Sequence, residues 1–182
     1  DYSAHIKINK EDDDEAGGPF TDNDLKILWD HKDDEIVEFI LIMCYSGFRI
    51  KAYKTLEINM DEKYFKGGVK TKAGKDRVVP IHSAILKLVE DRLARYGVLL
   101  SGTLQIFRND MYKKLAELGI EKHTPHDCRH TFSMLCEKYE VNENDRKRML
   151  GHSFGSDITN ARYGHRTVDD LRTEIEKIKA CY

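Results

Sequence analysis

Residues 34–45 constrain the fold more than any other part of this 182-residue chain. Ile36, Val37, Phe39, Ile40, Ile42 and Met43 make the stretch apolar on every side of a helix, so it cannot lie at a surface with one face in water. It must be a central helix with the other elements packed around it. Gly47 suits a left-handed stop for that helix, and Arg49 follows it closely. A rigid, buried helix thereby presents an arginine at its end.

Around this helix the pattern predicts a mainly helical chain. Thr21 with Asp24 three residues on marks a helix N-cap, and Leu25, Ile27, Leu28 and Trp29 give the helix that follows its apolar side. Further helices are expected near 83–96, 103–118, 125–139 and 143–150, bounded by Gly97, Gly119, Pro125 and Gly151. Pro125 suits a first helical position, where a missing N–H costs nothing. A short helical turn is expected over 157–164, and a last helix over about 167–179 carries Val168, Leu171, Ile175 and Ile178 on one apolar stripe. Strand formers occur at 64–69 and 77–81 with turn residues Ala73, Gly74, Lys75 and Asp76 between them, which predicts a hairpin. The fold class is therefore mainly α with a small antiparallel β-hairpin or sheet, without internal repeats.

The length suits one domain with a single core. No run reaches the roughly 20 apolar residues that span a bilayer, and no signal segment opens the chain, so a cytoplasmic protein is expected with no membrane partner. Cys44, Cys128, Cys136 and Cys181 lack C-x-x-C pairing, which supports reduced, mostly buried thiols rather than a disulfide framework or a zinc ribbon. The net charge of −2 conceals an asymmetry: residues 1–40 hold 4 Lys+Arg against 13 Asp+Glu, a net −9, and the other 142 hold 26 against 19, a net +7. The acidic run from Lys10 to Gly18 makes 1–19 a flexible linker and leaves 20–182 as the folded domain. A basic excess on that domain can neutralise several phosphates and would make binding salt-dependent.

Chemistry-bearing residues gather in a few short motifs. Thr124-Pro125-His126-Asp127-Cys128-Arg129-His130-Thr131-Phe132 places His126 and Arg129 three apart on one helical face, where both can reach one anion. Leu150-Gly151-His152 and then Tyr163 follow, and Ser46-Gly47-Phe48-Arg49 stands far upstream. His126 and His130 are four apart, but the His-Glu-x-x-His glutamate and a third ligand are missing, so a metal site is not expected and His130 is read as structural. Together with Lys70-Thr71-Lys72 and Arg77-Val78-Val79-Pro80 at the hairpin, these motifs resemble in order, spacing and flanks those of the tyrosine recombinases, the family of phage and transposon integrases. The resemblance runs from about Phe20 to about Ile178.

That resemblance implies a site-specific DNA recombinase that cleaves and rejoins strands through a 3′-phosphotyrosine. In its terms Arg49 and Arg129 grip the phosphoryl oxygens, Tyr163 is the nucleophile, and His126 and His152 complete the phosphate site. Lys70 is the general acid, with Lys72 a close competitor. No metal or nucleotide cofactor is implied. The implied partners are double-stranded DNA at specific sites, further copies of the chain in a dimer or tetramer on DNA, and an accessory directionality factor; the implied setting is the nucleoid in the cytoplasm. The chain would be the catalytic half of a longer protein with a DNA-binding domain ahead of it, and the helix over 167–179 would pack on its own domain or dock on a neighbouring protomer. Two positions depart from the family pattern. Ala52 stands where members commonly place a bracing carboxylate, for which Glu57 is the candidate substitute, and 11 residues separate His152 from Tyr163, more than in many members. The rival readings are a non-catalytic DNA-binding paralogue and, further off, a type IB topoisomerase or telomere resolvase.

Overall fold

In the computed structural model, which describes residues 17–68, 77–152 and 165–180, the helix predicted to be central is α2 (Glu35–Cys44), running between α1 (Asp22–Asp30) and a turn that leads to Arg49. Every residue from Val37 to Cys44 is buried, and α2 packs on α1, α3 (Ser83–Tyr96), α4 (Leu104–Glu117) and, most extensively, α5 (Pro125–Lys138). Asp34 starts it, its Oδ1 accepting from the Ile36 and Val37 N–H groups at 2.9 and 3.1 Å. The one buried charge on α2 is Glu38, which Arg92 meets at 3.1 Å and Arg95 also binds. Arg92 lies 4.8 Å from the Phe39 ring centre and gives another N–H to the Glu35 carbonyl, so the carboxylate is paired rather than stranded.

The expected capping pair of α1 is present: Asp24 N–H donates to Thr21 Oγ1 and Thr21 N–H to Asp24 Oδ2, each at 3.1 Å. The helices α3, α4, α5 and α6 (Glu143–Leu150) lie within a residue of the positions read from the sequence. Two features were not anticipated. A 3₁₀ turn over Ile50–Lys54 follows Arg49, and Glu57–Asn59 forms a strand, β1, beside the predicted hairpin of β2 (Tyr64–Gly67) and β3 (Arg77–Pro80). The sheet is antiparallel in the order β1-β2-β3, with Ile58 opposite Phe65 and Phe65 opposite Val79. Three residues that include Glu and Asn carry little strand preference of their own; pairing with β2 makes them a strand. Lys70 and Lys72, and the helical turn expected over 157–164, lie outside the described residues.

The last helix is shorter than expected, α7 (Val168–Ile175), and lies on β3 of its own chain with Leu171, Ile175 and the following Ile178 buried. It is bolted at both ends. Glu176 accepts from the Ser83 N–H and hydroxyl at 2.7 Å each, and His82 Nδ1 accepts from Ala84 N–H at 3.0 Å, which leaves Nε2–H to donate to the Ile178 carbonyl at 2.7 Å. At the same C-terminal end Glu174 accepts from the N–H of Asn142, the N-cap of α6, at 3.2 Å. Just before α7, Arg166 grips Asp145 of α6 with two bonds of 3.0 and 2.9 Å, and Asp145, 1% exposed, also accepts from Arg148. Cys44, Cys128 and Cys136 are buried free thiols, and burial pushes the Cys136 thiol up to about 12.

The left-handed stop falls two residues past the C-cap of α2: the helix ends at Cys44, Tyr45 caps it, and Gly47 has φ +77°. A side chain there would be doubly excluded, because a Cβ would also stand 2.3 Å from Phe132 Cδ1 on α5. Gly47→Ala is expected to cost about 3 kcal/mol or more in denaturant unfolding, the sum of left-handed strain and overpacking. A loss under about 1 kcal/mol would show that the α2–α5 contact is looser than this.

Candidate active site

Three chain segments converge on one concavity. The first is the turn after α2, braced by the buried Tyr53 hydroxyl. Ser46 Oγ donates to the Ile42 carbonyl at 2.5 Å, Tyr53 OH donates to Ser46 Oγ at 2.6 Å, and Phe48 N–H donates to Tyr53 OH at 3.2 Å. Burial raises the Tyr53 phenol well above its ordinary value, so it stays protonated and the turn that sets Arg49 keeps its brace.

The second segment is α5. Pro125 occupies its first turn, and Asp127 Oδ2 accepts from Thr124 N–H at 3.1 Å while pairing with His123 Nδ1 at 2.9 Å. Thr131 Oγ1 accepts from Phe20 N–H at 3.0 Å, tying the first described residues to the same helix. Spaced i, i+3, i+4 and i+7, His126, Arg129, His130 and Ser133 form one face that lines the concavity. The two imidazoles meet edge to face with ring centres 4.7 Å apart.

The third segment is the end of α6. His152 N–H donates to the Lys147 carbonyl at 2.9 Å and Gly151 N–H to the Arg148 carbonyl at 3.1 Å, with Gly151 at φ +71°; this is a Schellman ending. It turns the chain sharply at Gly151 and leaves the Leu150 carbonyl to accept from outside the helix.

Arg129 joins all three. Only 5% exposed, it donates from Nη1 to the Gly47 carbonyl and from Nη2 to the Leu150 carbonyl, each at 2.6 Å. The result is a cavity of about 320 Å³ lined by Arg49, His126, Arg129, His130, Ser133, Leu150 and His152. Desolvation, and then the positive charges of Arg129, Arg146, Arg49 and Arg77, hold the His152 imidazole below its ordinary pKa, so it is neutral at pH 7 and presents one N–H. A pocket that so disfavours added positive charge suits an anion.

Of the residues read from the sequence, Arg49, His126, Arg129 and His152 therefore share one cavity, though they come from distant parts of the chain. Lys70 and Tyr163 lie outside the described residues; the segments that hold them, 69–76 and 153–164, end at Arg77 and begin after His152. Ala52 is buried in the 3₁₀ turn, and Glu57 is exposed on β1 opposite Lys66. Three more residues stand at the site. His130, expected to be structural, and Ser133 both line the cavity, on the helical spacing that joins His126 to Arg129. Arg77, 7% exposed, donates to the Leu150 carbonyl at 3.1 Å. Among the described residues no three His, Cys, Asp or Glu side chains stand close enough to hold a metal ion, and no helix is long and apolar enough to cross a membrane.

The same helices and sheet occur in solved structures. The chain is similar to the integrase from mycobacterium phage Brujita with a TM-score of 0.67 and 16% identity, over 90% of this chain and 58% of that one. It is similar to XerA recombinase with a TM-score of 0.62 and 19% identity, over 86% of this chain and 62% of that one. The chain thus spans about three-fifths of the length of either. No curated protein matches it in sequence. The phage integrase family model matches residues 21–169, the stretch that supplies every wall of the cavity. With its arginines and histidines gathered as the motifs required and its helices arranged as in tyrosine recombinase catalytic domains, the chain belongs to the phage integrase family.

Proposed function

We propose that residues 20–182 are the catalytic domain of a site-specific DNA recombinase, preceded by an acidic linker over 1–19, and that it serves the integration and excision of a mobile element. The reading rests on one observation: Arg49, Arg129 and His152 line a single small cavity whose electrostatics favour an anion. A scissile phosphate seated there would meet two guanidinium forks and the neutral His152 N–H, with His126 beside Arg129.

Tyr163 Oη attacks the phosphorus, the bond from phosphorus to the 5′-oxygen breaks, and a 3′-phosphotyrosine forms. The phenol loses its proton to a neighbouring base, for which His126 is the candidate, and the departing 5′-oxygen takes one from Lys70 or Lys72. Charge on the phosphoryl oxygens is held by Arg49 and Arg129 throughout. Rejoining reverses each step with the 5′-hydroxyl of a second strand, and because the bond energy is kept in the phosphotyrosine no nucleotide is consumed. Strand exchange between two duplexes calls for a dimer or tetramer on DNA, with an accessory factor setting direction. The second reading is a DNA-binding paralogue without turnover, favoured by one observation: Ala52, buried where a bracing carboxylate commonly stands.

The two readings separate on nicked suicide DNA carrying the element's site, incubated with the chain in EDTA. The recombinase reading expects a denaturation-resistant adduct that disappears in Tyr163→Phe; an adduct that persists in that variant moves the nucleophile elsewhere, and none from the native chain favours the paralogue. Arg129→Lys cannot span both backbone carbonyls and fork a phosphate, so it should keep DNA binding in a gel-shift assay and slow cleavage about 10²-fold or more. Equal rates would remove Arg129 from the phosphate site. By NMR of the DNA-free chain, His152 should titrate below its ordinary 6.5. The folded state then binds that proton less readily than the unfolded chain does, so stability linked to His152 is complete above pH 6.5 and is lost as pH falls through the lowered value. A midpoint at or above 6.5 would dissolve the cationic pocket.

A further inference from the structure

Arg77 belongs to none of the roles above, yet it touches the backbone on which two of them hang. It is the first residue of β3, opposite Gly67, and only 7% exposed. Its guanidinium lies over the Phe48 ring, 4.4 Å from the centre, next to Arg49 in sequence. Nη1 donates at 3.1 Å to the Leu150 carbonyl, the same oxygen that accepts from Arg129 at 2.6 Å. That oxygen closes the C-terminal end of α6, where the helix dipole is negative, and His152 stands two residues beyond it. Nε of Arg77 is buried without a hydrogen-bond partner among the described residues. Burial, and after it the charge of Arg49, pull Arg77 down to about 10 against the opposing pull of Tyr53, so it remains a cation at neutral pH at a cost in desolvation.

We infer that Arg77 is a positioning residue of the phosphate site: it fixes the Phe48–Arg49 turn against the Leu150–His152 turn and supplies a further guanidinium charge behind the cavity. A residue that served packing alone would fill this volume as an apolar side chain of the same length, without an orphan buried N–H. The inference deepens the recombinase reading, because it assumes that the cavity holds a phosphate. It also concerns a residue on the strand that the 69–76 segment enters, so the segment carrying Lys70 and Lys72 ends on a residue bonded to the His152 turn.

The test uses the whole chain and Arg77→Met, which keeps an unbranched stem and loses charge, with Arg77→Lys, which keeps charge and loses the fork. Among the described residues the cations acting on His152 are Arg129 from α5, Arg146 from α6, Arg49 from the turn after α2, and Arg77 from β3, and the His126 and His130 rings of α5 line the same cavity. In Arg77→Met, His152 should titrate closer to its ordinary value than in the native chain, and in Arg77→Lys it should stay near the native midpoint. Inorganic phosphate, followed through the His152 ring signals, should bind about 5-fold more weakly to Arg77→Met. On cleavable nicked DNA, single-turnover cleavage should fall about 10-fold or more in both variants while DNA binding changes less than about 3-fold. A change in melting temperature alone, with His152 midpoint, phosphate affinity and cleavage all native, would overturn the inference and leave Arg77 a packing residue. Should Arg77→Met fail to fold, Phe48→Leu removes the stacking platform and keeps the guanidinium; it is expected to slow cleavage likewise, and native cleavage would count against the positioning role. If the native chain makes no adduct at all, the recombinase reading fails, while the His152 midpoint in the two variants still decides the role of Arg77.

Discussion

The Arg129 guanidinium is the joint on which the site depends. One fork holds two backbone carbonyls, Gly47 in the turn after the central helix and Leu150 at the end of α6, and is itself held by the buried stem of α5. The Leu150 carbonyl, at a helix end, has no partner within its helix and carries the negative end of the dipole, and the Gly47 carbonyl lies in the turn past α2, so a cation placed between them satisfies both. Without it, the walls bearing Arg49 and His152 would be joined, among the described residues, only by Arg77, which stacks on Phe48 and donates to the same Leu150 carbonyl. The cost is a charge withdrawn from water, which an anion in the cavity would offset.

The supporting frame is arranged so that these carbonyls arrive at the right place. Helix α2 is buried along its length and leaves little freedom in where its last turn falls. Tyr53 then locks Ser46 and Phe48, and Gly47 lets Phe132 approach to a distance that no side chain could allow. Helix α6 is short, about 12 Å at 1.5 Å per residue. Its first turn is gripped by Glu174 and Arg166 and its last carbonyl by Arg77 and Arg129.

Much of this could be read from the residues, and the reasons differ by element. The helices between 83 and 150 carry their own punctuation, Gly97, Gly119, Pro125 and Gly151, so their limits fell within a residue. The all-apolar pattern marked α2 as central, although it hid Glu38, whose burial depends on Arg92 and Arg95 more than fifty residues away. Strand β1 and the shortened α7 were missed because pairing with β2 and the bonds from His82 and Ser83 decide them, and these are tertiary facts. The gathering of Arg49, His126, Arg129 and His152 was visible through motif order. Arg77 was invisible as a neighbour of the site because its contact is with a carbonyl, which leaves no mark on side-chain spacing. Ser133 and His130 needed only the helical period carried one turn further.

The pairing of Arg166 with Asp145 has a consequence for how such chains can diverge. The chain leaves α6 at His152 and is fastened to the first turn of the same helix at Arg166, so one short rod carries both moorings of the stretch between them. Neither mooring depends on the length of that stretch, because both contacts are made by residues outside it. Both walls that α6 carries are thus fixed by contacts of its own two ends, whatever the length of the interval after the histidine.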